Sequence, residues 1–154
     1  MAVKFLKPDA LMGSNADDDY LRTVLKYGDT TITCSQLKAC NEYGIAATYR
    51  QSGNFTDLFR EIDGGFPVAV GVLHKGSVTK PRGGGHWMLM IGYTSTHGVF
   101  HDPYGEMDMV NGDYVTVGRG GRGVHYSLKN FGRRWMVEGP GSGWFMTFRN
   151  ATDV

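Results

Sequence analysis

Residues 83–105 read GGGHWMLMIGYTSTHGVFHDPYG. Three glycines and a histidine lead into an apolar run from Trp87 to Tyr93. A short polar turn follows, and a second apolar run ends in His101, Asp102 and Pro103. Two short apolar runs around a turn are the pattern of a β-hairpin. With the turn centred near Thr94 and Ser95, antiparallel partners keep a nearly constant sum of residue numbers, which returns Asp102 to within one or two residues of His86. A histidine and a carboxylate then share the open end of the hairpin, and such a pair is half of a nucleophilic triad.

Outward from the hairpin, PVAVGVL at Pro67–Leu73 is a near-continuous, valine-rich run, the pattern of a strand buried on both faces. Lys75–Gly85 joins it to the hairpin as a basic loop. Before Phe66 the period is helical. Asn54 caps a helix with Phe55, Leu58, Phe59 and Ile62 on one side and Gly64 and Gly65 at its end. Thr33–Gln36, TCSQ, fits a capping box and starts a helix running to Tyr43 with Gly44 as its stop, which puts Cys34 at the first helical position. Ser14 or Asn15 caps an earlier helix. Its first turn carries Asp17, Asp18 and Asp19, its apolar stripe is Leu21, Val24 and Leu25, and Gly28 ends it. The opening MAVKFL reads as the end of an element.

Beyond the hairpin, Asp113–Val117 alternates as a strand and Gly118–Gly123, GRGGRG, reads as a loop. Tyr126–Trp135 mixes aromatic and basic residues and suits a helix or irregular structure. Trp144–Phe148, WFMTF, is a last strand. No internal repeat or break in composition divides the chain, so residues 1–154 read as a single domain of a size that supports one core. Helices first and a mostly antiparallel sheet afterwards make an α+β fold.

The bulk composition narrows the partners. A formal charge of +1 across 154 residues offers no electrostatic case for nucleic acid, and the two arginines of GRGGRG cannot neutralise many phosphates. No apolar run approaches the 18 or so residues that span a bilayer, which argues against membrane insertion. Cys34 and Cys40 on one helix lie roughly 9 Å apart along its axis, too far for a disulfide.

Candidate chemistry centres on three residues. The glycines before His86 remove side-chain bulk and let a substrate backbone approach. A carboxylate bonded to one nitrogen of that ring fixes its tautomer and leaves the other nitrogen as a general base, the part Asp102 can play. As a competing reading, Asp102 before Pro103 is a turn starter. Cys34, in the first turn of a helix, has a thiolate favoured by unpaired amides and the helix dipole, while Cys40 shares a face with Leu37 and reads as a small buried hydrophobe. His101, adjacent to Asp102, alternates to the opposite face of the sheet. Alternation therefore opposes a metal site built from His86, His101 and Asp102, and neither an HExxH nor a paired-cysteine motif is present. No cofactor is expected.

The segments GGHWMLMIGY, VFHDPYGEMD and RRWMVEGPGSGW resemble the papain-like cysteine peptidases of the bacteriocin-processing, double-glycine leader peptidase type, and look closest to the C39-like domains of bacterial and phage proteins. KYGDTT, the helix ending YGI and the segment GGFPVAVGVLHKG extend the resemblance over most of the chain. It implies a papain-like fold, His86 as general base and Asp102 as its orienting partner. It also implies a peptide or peptidoglycan substrate, in a virion-associated, extracellular or cell-wall setting that could include a larger phage or secreted assembly. In that family the nucleophilic cysteine starts the first long helix behind an oxyanion-hole glutamine, and both precede the stretch that MAVKF resembles. Two expectations follow for catalysis: a nucleophile segment lying ahead of Met1, or Cys34 as a relocated nucleophile. The alternative is an inactive binding or structural module that keeps the fold.

Overall fold

The structure, a computed structural model, describes residues 1–153. Its elements in chain order are α1 (Ala2–Leu6), α2 (Ala16–Leu25), α3 (Thr33–Glu42), β1 (Ile45–Gly53), α4 (Phe55–Asp63), β2 (Val68–Lys75), β3 (Arg82–Tyr93), β4 (His97–His101), β5 (Arg122–Ser127), α5 (Leu128–Trp135) and β6 (Gly143–Asn150), with a 3-10 turn at Ala151–Asp153. The strands form one sheet in the order β1-β6-β2-β3-β4-β5, and the registers of β2 with β3 and β6, and of β4 with β3 and β5, are antiparallel. The fold is α+β, as the sequence implies. The chain makes two compact units, Met1–Tyr49 with Thr147–Val154, and Arg50–Met146.

In the first unit, α2 and α3 are joined by polar side chains. Tyr20 Oη donates to Gln36 Oε1 at 2.8 Å and lies 3.8 Å from Cys40 Sγ, and the Thr23 and Tyr43 hydroxyls are 2.9 Å apart. Val24 is buried, but Leu21 and Leu25 are exposed, so the expected stripe of α2 narrows to one residue and the helix leans on these hydrogen bonds as well. The capping box expected at Thr33 does not form. Asp29 Oδ1 takes the Thr31 amide and hydroxyl, the Ile32 amide bonds to Asp29 O, and this turn feeds the chain into α3 one residue early with Ile32 at the cap. Cys34 is therefore the second helical residue rather than the first. Gly44 ends the helix at φ +69, a left-handed conformation that suits glycine.

The second unit holds a core of Leu58, Val68, Val70, Val72, Met88, Met90, Phe100, Met107, Met109, Tyr126, Phe131, Trp135 and Phe145. Its layout follows from strand alternation. Val68, Val70 and Val72 stand opposite Met90, Met88 and His86 in the β2–β3 register, and Met90 stands opposite Phe100 in β4. Directly opposed residues share a face, so one face of the sheet carries these residues and receives Leu58 of α4 and Phe131 and Trp135 of α5. His86 continues that apolar row by one step at its end. Helix α4 enters through a complete capping box, with Asn54 Oδ1 accepting from the Asp57 amide and Asp57 Oδ2 from the Asn54 amide.

Three other expectations change. β1 escapes a pattern reading because IAATYRQSG has neither clean alternation nor an apolar run. β3 begins at Arg82, so Gly83–Gly85 are strand rather than loop; Leu73 pairs with Gly85 and Lys75 with Arg82. Asp113–Val117 is not a strand. Asp108 Oδ1 accepts the Val110 and Asn111 amides to form a tight turn, Asp113 sits at φ 60, and among the described residues the segment's only ladder contact is an isolated bridge from Tyr114 to Met107. Val115 and Val117 remain exposed.

Candidate active site

The hairpin delivers its two polar ends to one place. Met90 opposite Phe100 gives a residue-number sum of 190, which brings Asp102 level with Met88 and one same-face step from His86. His86 Nε2 lies 2.7 Å from Asp102 Oδ1. The carboxylate side chain is fully buried and the imidazole is 11% exposed. Nε2 is committed to the carboxylate, so Nδ1 is the nitrogen left to take a proton.

A buried carboxylate needs donors. Asp102 Oδ1 accepts from the Tyr104 amide at 3.0 Å as well as from His86, and Tyr126 Oη donates to Oδ2 at 3.3 Å. Burial pushes the Tyr126 phenol well above its ordinary range, so it stays a donor. The backbone of Asp102 is fixed too, its amide bonding to Gly121 O at 2.7 Å. A Cβ on Gly121 would collide with the Asp102 carbonyl oxygen, which explains why this part of GRGGRG must be glycine. Gly105 has the same character at φ +129, where a Cβ would strike Thr116 O. That loop thus serves to seat the carboxylate.

Three aromatic rings surround His86. His74, Tyr104 and Tyr114 have centroids 5.9, 6.0 and 5.7 Å from it, each ring edge-on to the imidazole, and Tyr104 and Tyr114 pack at 5.1 Å. His74 Nδ1 is 3.0 Å from Gly84 O, tying β2 to the glycine stretch. Burial and the nearby Asp102 charge raise the Tyr114 phenol, keeping its hydroxyl protonated. No local sequence pattern brings His74, Tyr104 or Tyr114 to the site. Tyr126 was within reach of a register argument, because β5 places it opposite Gly98 on the Phe100 face.

His101 alternates away as expected. Its Nδ1 accepts from the Gly123 amide at 3.0 Å, and burial together with Arg122 lowers its pKa. Among the described residues no group of three or more His, Cys, Asp or Glu is arranged to hold a metal ion. Cys34 is exposed on the first turn of α3, in the first unit, whereas His86 and Asp102 belong to the second. Cys40 is buried, and desolvation pushes its thiol pKa up, which suits the buried-hydrophobe reading.

Residues 4–120 match the model of the Peptidase_C39 like family, well over half of the chain. The chain belongs to the Peptidase_C39 like family. The match runs from within α1 to the loop just ahead of β5 and includes both His86 and Asp102. A search of curated proteins and a search of solved structures each gave no match. The α+β architecture, with five α-helices and a six-stranded antiparallel sheet, accords with a papain-like fold for this C39-like member.

Proposed function

We propose that this chain is a cysteine peptidase or amidase domain that hydrolyses amide bonds in a peptide or a peptidoglycan cross-link. The observation that carries the reading is the 2.7 Å bond between His86 Nε2 and the fully buried Asp102 carboxylate. In the proposed reaction, His86 Nδ1 takes the proton from an attacking thiol and returns it to the leaving amine, while Asp102 holds the ring and stabilises the imidazolium. Cys34, exposed in the first turn of α3, is this chain's candidate for that thiol. The exposed Tyr104 ring beside His86 and the bare Gly84 support a peptide-like substrate lying across the strand ends.

A second reading has one observation in its favour: the unit that holds His86 and Asp102 contains no cysteine. It makes the chain a binding or structural module of a virion or cell-wall apparatus. Release of new amino termini from purified sacculi and from a peptide pool separates the two. The peptidase reading predicts release that falls about 10²- to 10⁴-fold in His86→Ala, the usual range for losing a general base. Release unaffected by His86→Ala, or binding without release, would favour the module.

A further inference from the structure

We propose that Tyr126 is a positioning residue for the His86–Asp102 pair, its hydroxyl holding the second carboxylate oxygen. This deepens the peptidase reading and rests on it for its catalytic meaning. The first ground is the direction of the hydroxyl proton. Met107 N–H donates to Tyr126 Oη at 2.8 Å, which occupies a lone pair of that oxygen. The carboxylate, which can only accept, is its other partner, so the proton points at Asp102 Oδ2.

The second ground is what the carboxylate would otherwise lack. Asp102 is fully buried at its side chain, and Oδ1 already serves His86 and the Tyr104 amide. Tyr126 is the donor described at Oδ2. The ring alone would satisfy the core, where it packs 5.4 Å from Phe100, and a phenylalanine would fill the same space without burying a hydroxyl. A buried hydroxyl is costly unless bonded, and here one of its bonds comes from the Met107 amide and the other runs to Asp102. The 3.3 Å separation is long for an O–H···O bond, and such bonds are commonly long before substrate engages.

The chemistry sets the direction of the effect. A hydrogen bond to Oδ2 stabilises the carboxylate charge, lowers its basicity and makes it a weaker acceptor towards His86 Nε2–H. Removing it leaves a more basic carboxylate that pulls harder on that proton. Other polar or charged groups facing this cluster include His74, Tyr104 and Tyr114 around His86, Asp113, whose charge acts on Tyr114, and Glu106, whose charge acts on Tyr126.

The test is the His86 Nε2–H proton resonance, read by NMR in the full chain. Tyr126→Phe should move it downfield. Site-specific 3-fluorotyrosine at 126, whose hydroxyl is a stronger donor and whose ring preserves the packing, should move it upfield. Phe100→Leu, which loosens the same part of the core and keeps the hydroxyl, should move it less than either. No movement in the two position-126 proteins, movement in the same direction in both, or an equal shift in Phe100→Leu would overturn the proposal. If Tyr126→Phe fails to fold for want of the Met107 bond, the fluorotyrosine protein decides alone. The resonance needs no turnover, so failure of the peptidase reading would show in the release assay and failure of this inference in the spectrum.

Discussion

Arg134 is the residue whose loss should cost the second unit most. It is fully buried, one position before Trp135 in α5, and its guanidinium is spent on main-chain carbonyls. Nε donates to Met109 O at 2.9 Å, one terminal nitrogen to Leu73 O at 3.0 Å with a longer contact to Lys75 O, and the other to Gly76 O at 2.7 Å. Burial lowers its pKa, but arginine keeps its charge in proteins. These bonds join α5 to the end of β2 beside His74 and to the loop that carries Tyr114, whose neighbour Asp113 bonds His74 O at 2.7 Å. Arg134→Met keeps the stem and removes the fork. Three well-made acceptors are then orphaned, each worth about 1–3 kcal/mol when unsatisfied. Loop-end carbonyls recover some hydration, so the sum should fall near 3–5 kcal/mol, in line with breaking other buried charged contacts. Urea unfolding followed by tryptophan fluorescence would report it. At a slope of about 2 kcal/mol per molar, the midpoint should drop by about 2 M. A drop below about 0.5 M would refute the view that Arg134 clamps the walls of the site.

Other consequences are checked as directly. Gly121→Ala should cost about 1–3 kcal/mol by the same unfolding assay, because its Cβ must displace the Asp102 backbone; an unchanged midpoint would mean that the loop yields freely. Iodoacetamide should label Cys34 and spare Cys40 in the folded protein, since one is exposed and the other is buried with a raised thiol pKa; peptide mapping that finds equal labelling would contradict this placement. His101 makes stability depend on pH. Its folded pKa lies below its unfolded value, so the unfolded chain binds more protons and stability falls as pH drops through the ordinary histidine range near about 6.5 towards the folded value. His101→Gln should flatten that decline in melting experiments at pH 5 to 8, and an identical decline in the variant would refute it.

The hairpin was legible because its information is local. Period-2 alternation, a polar turn and a nearly constant residue-number sum are enough to place Asp102 beside His86, and the β3–β4 register departs from that constancy by a single residue between Met90 and Gly92. The α4 cap was legible for the same reason, being made of Asn54 and Asp57 alone. What escaped depends on partners distant in sequence. Arg134 reads as one of three basic residues on a helix until carbonyls from residues 73, 75, 76 and 109 gather round it. Val115 and Val117 alternate like a strand, but no neighbouring strand takes up their segment beyond the Tyr114 bridge. Tyr126 reads as one aromatic at the start of a mixed aromatic and basic run; its ring is core, and only its hydroxyl belongs to the site.

The tautomer of neutral His86 tests the account at its centre. Long-range nitrogen–proton correlation spectra of the ring distinguish a proton on Nε2 from one on Nδ1. The bond to Asp102 predicts Nε2–H with a bare Nδ1, and a loss of that preference in Asp102→Asn, whose amide can donate as well as accept. A ring protonated at Nδ1 in the unaltered protein would leave no base facing a thiol, and the proposed chemistry would fall with it.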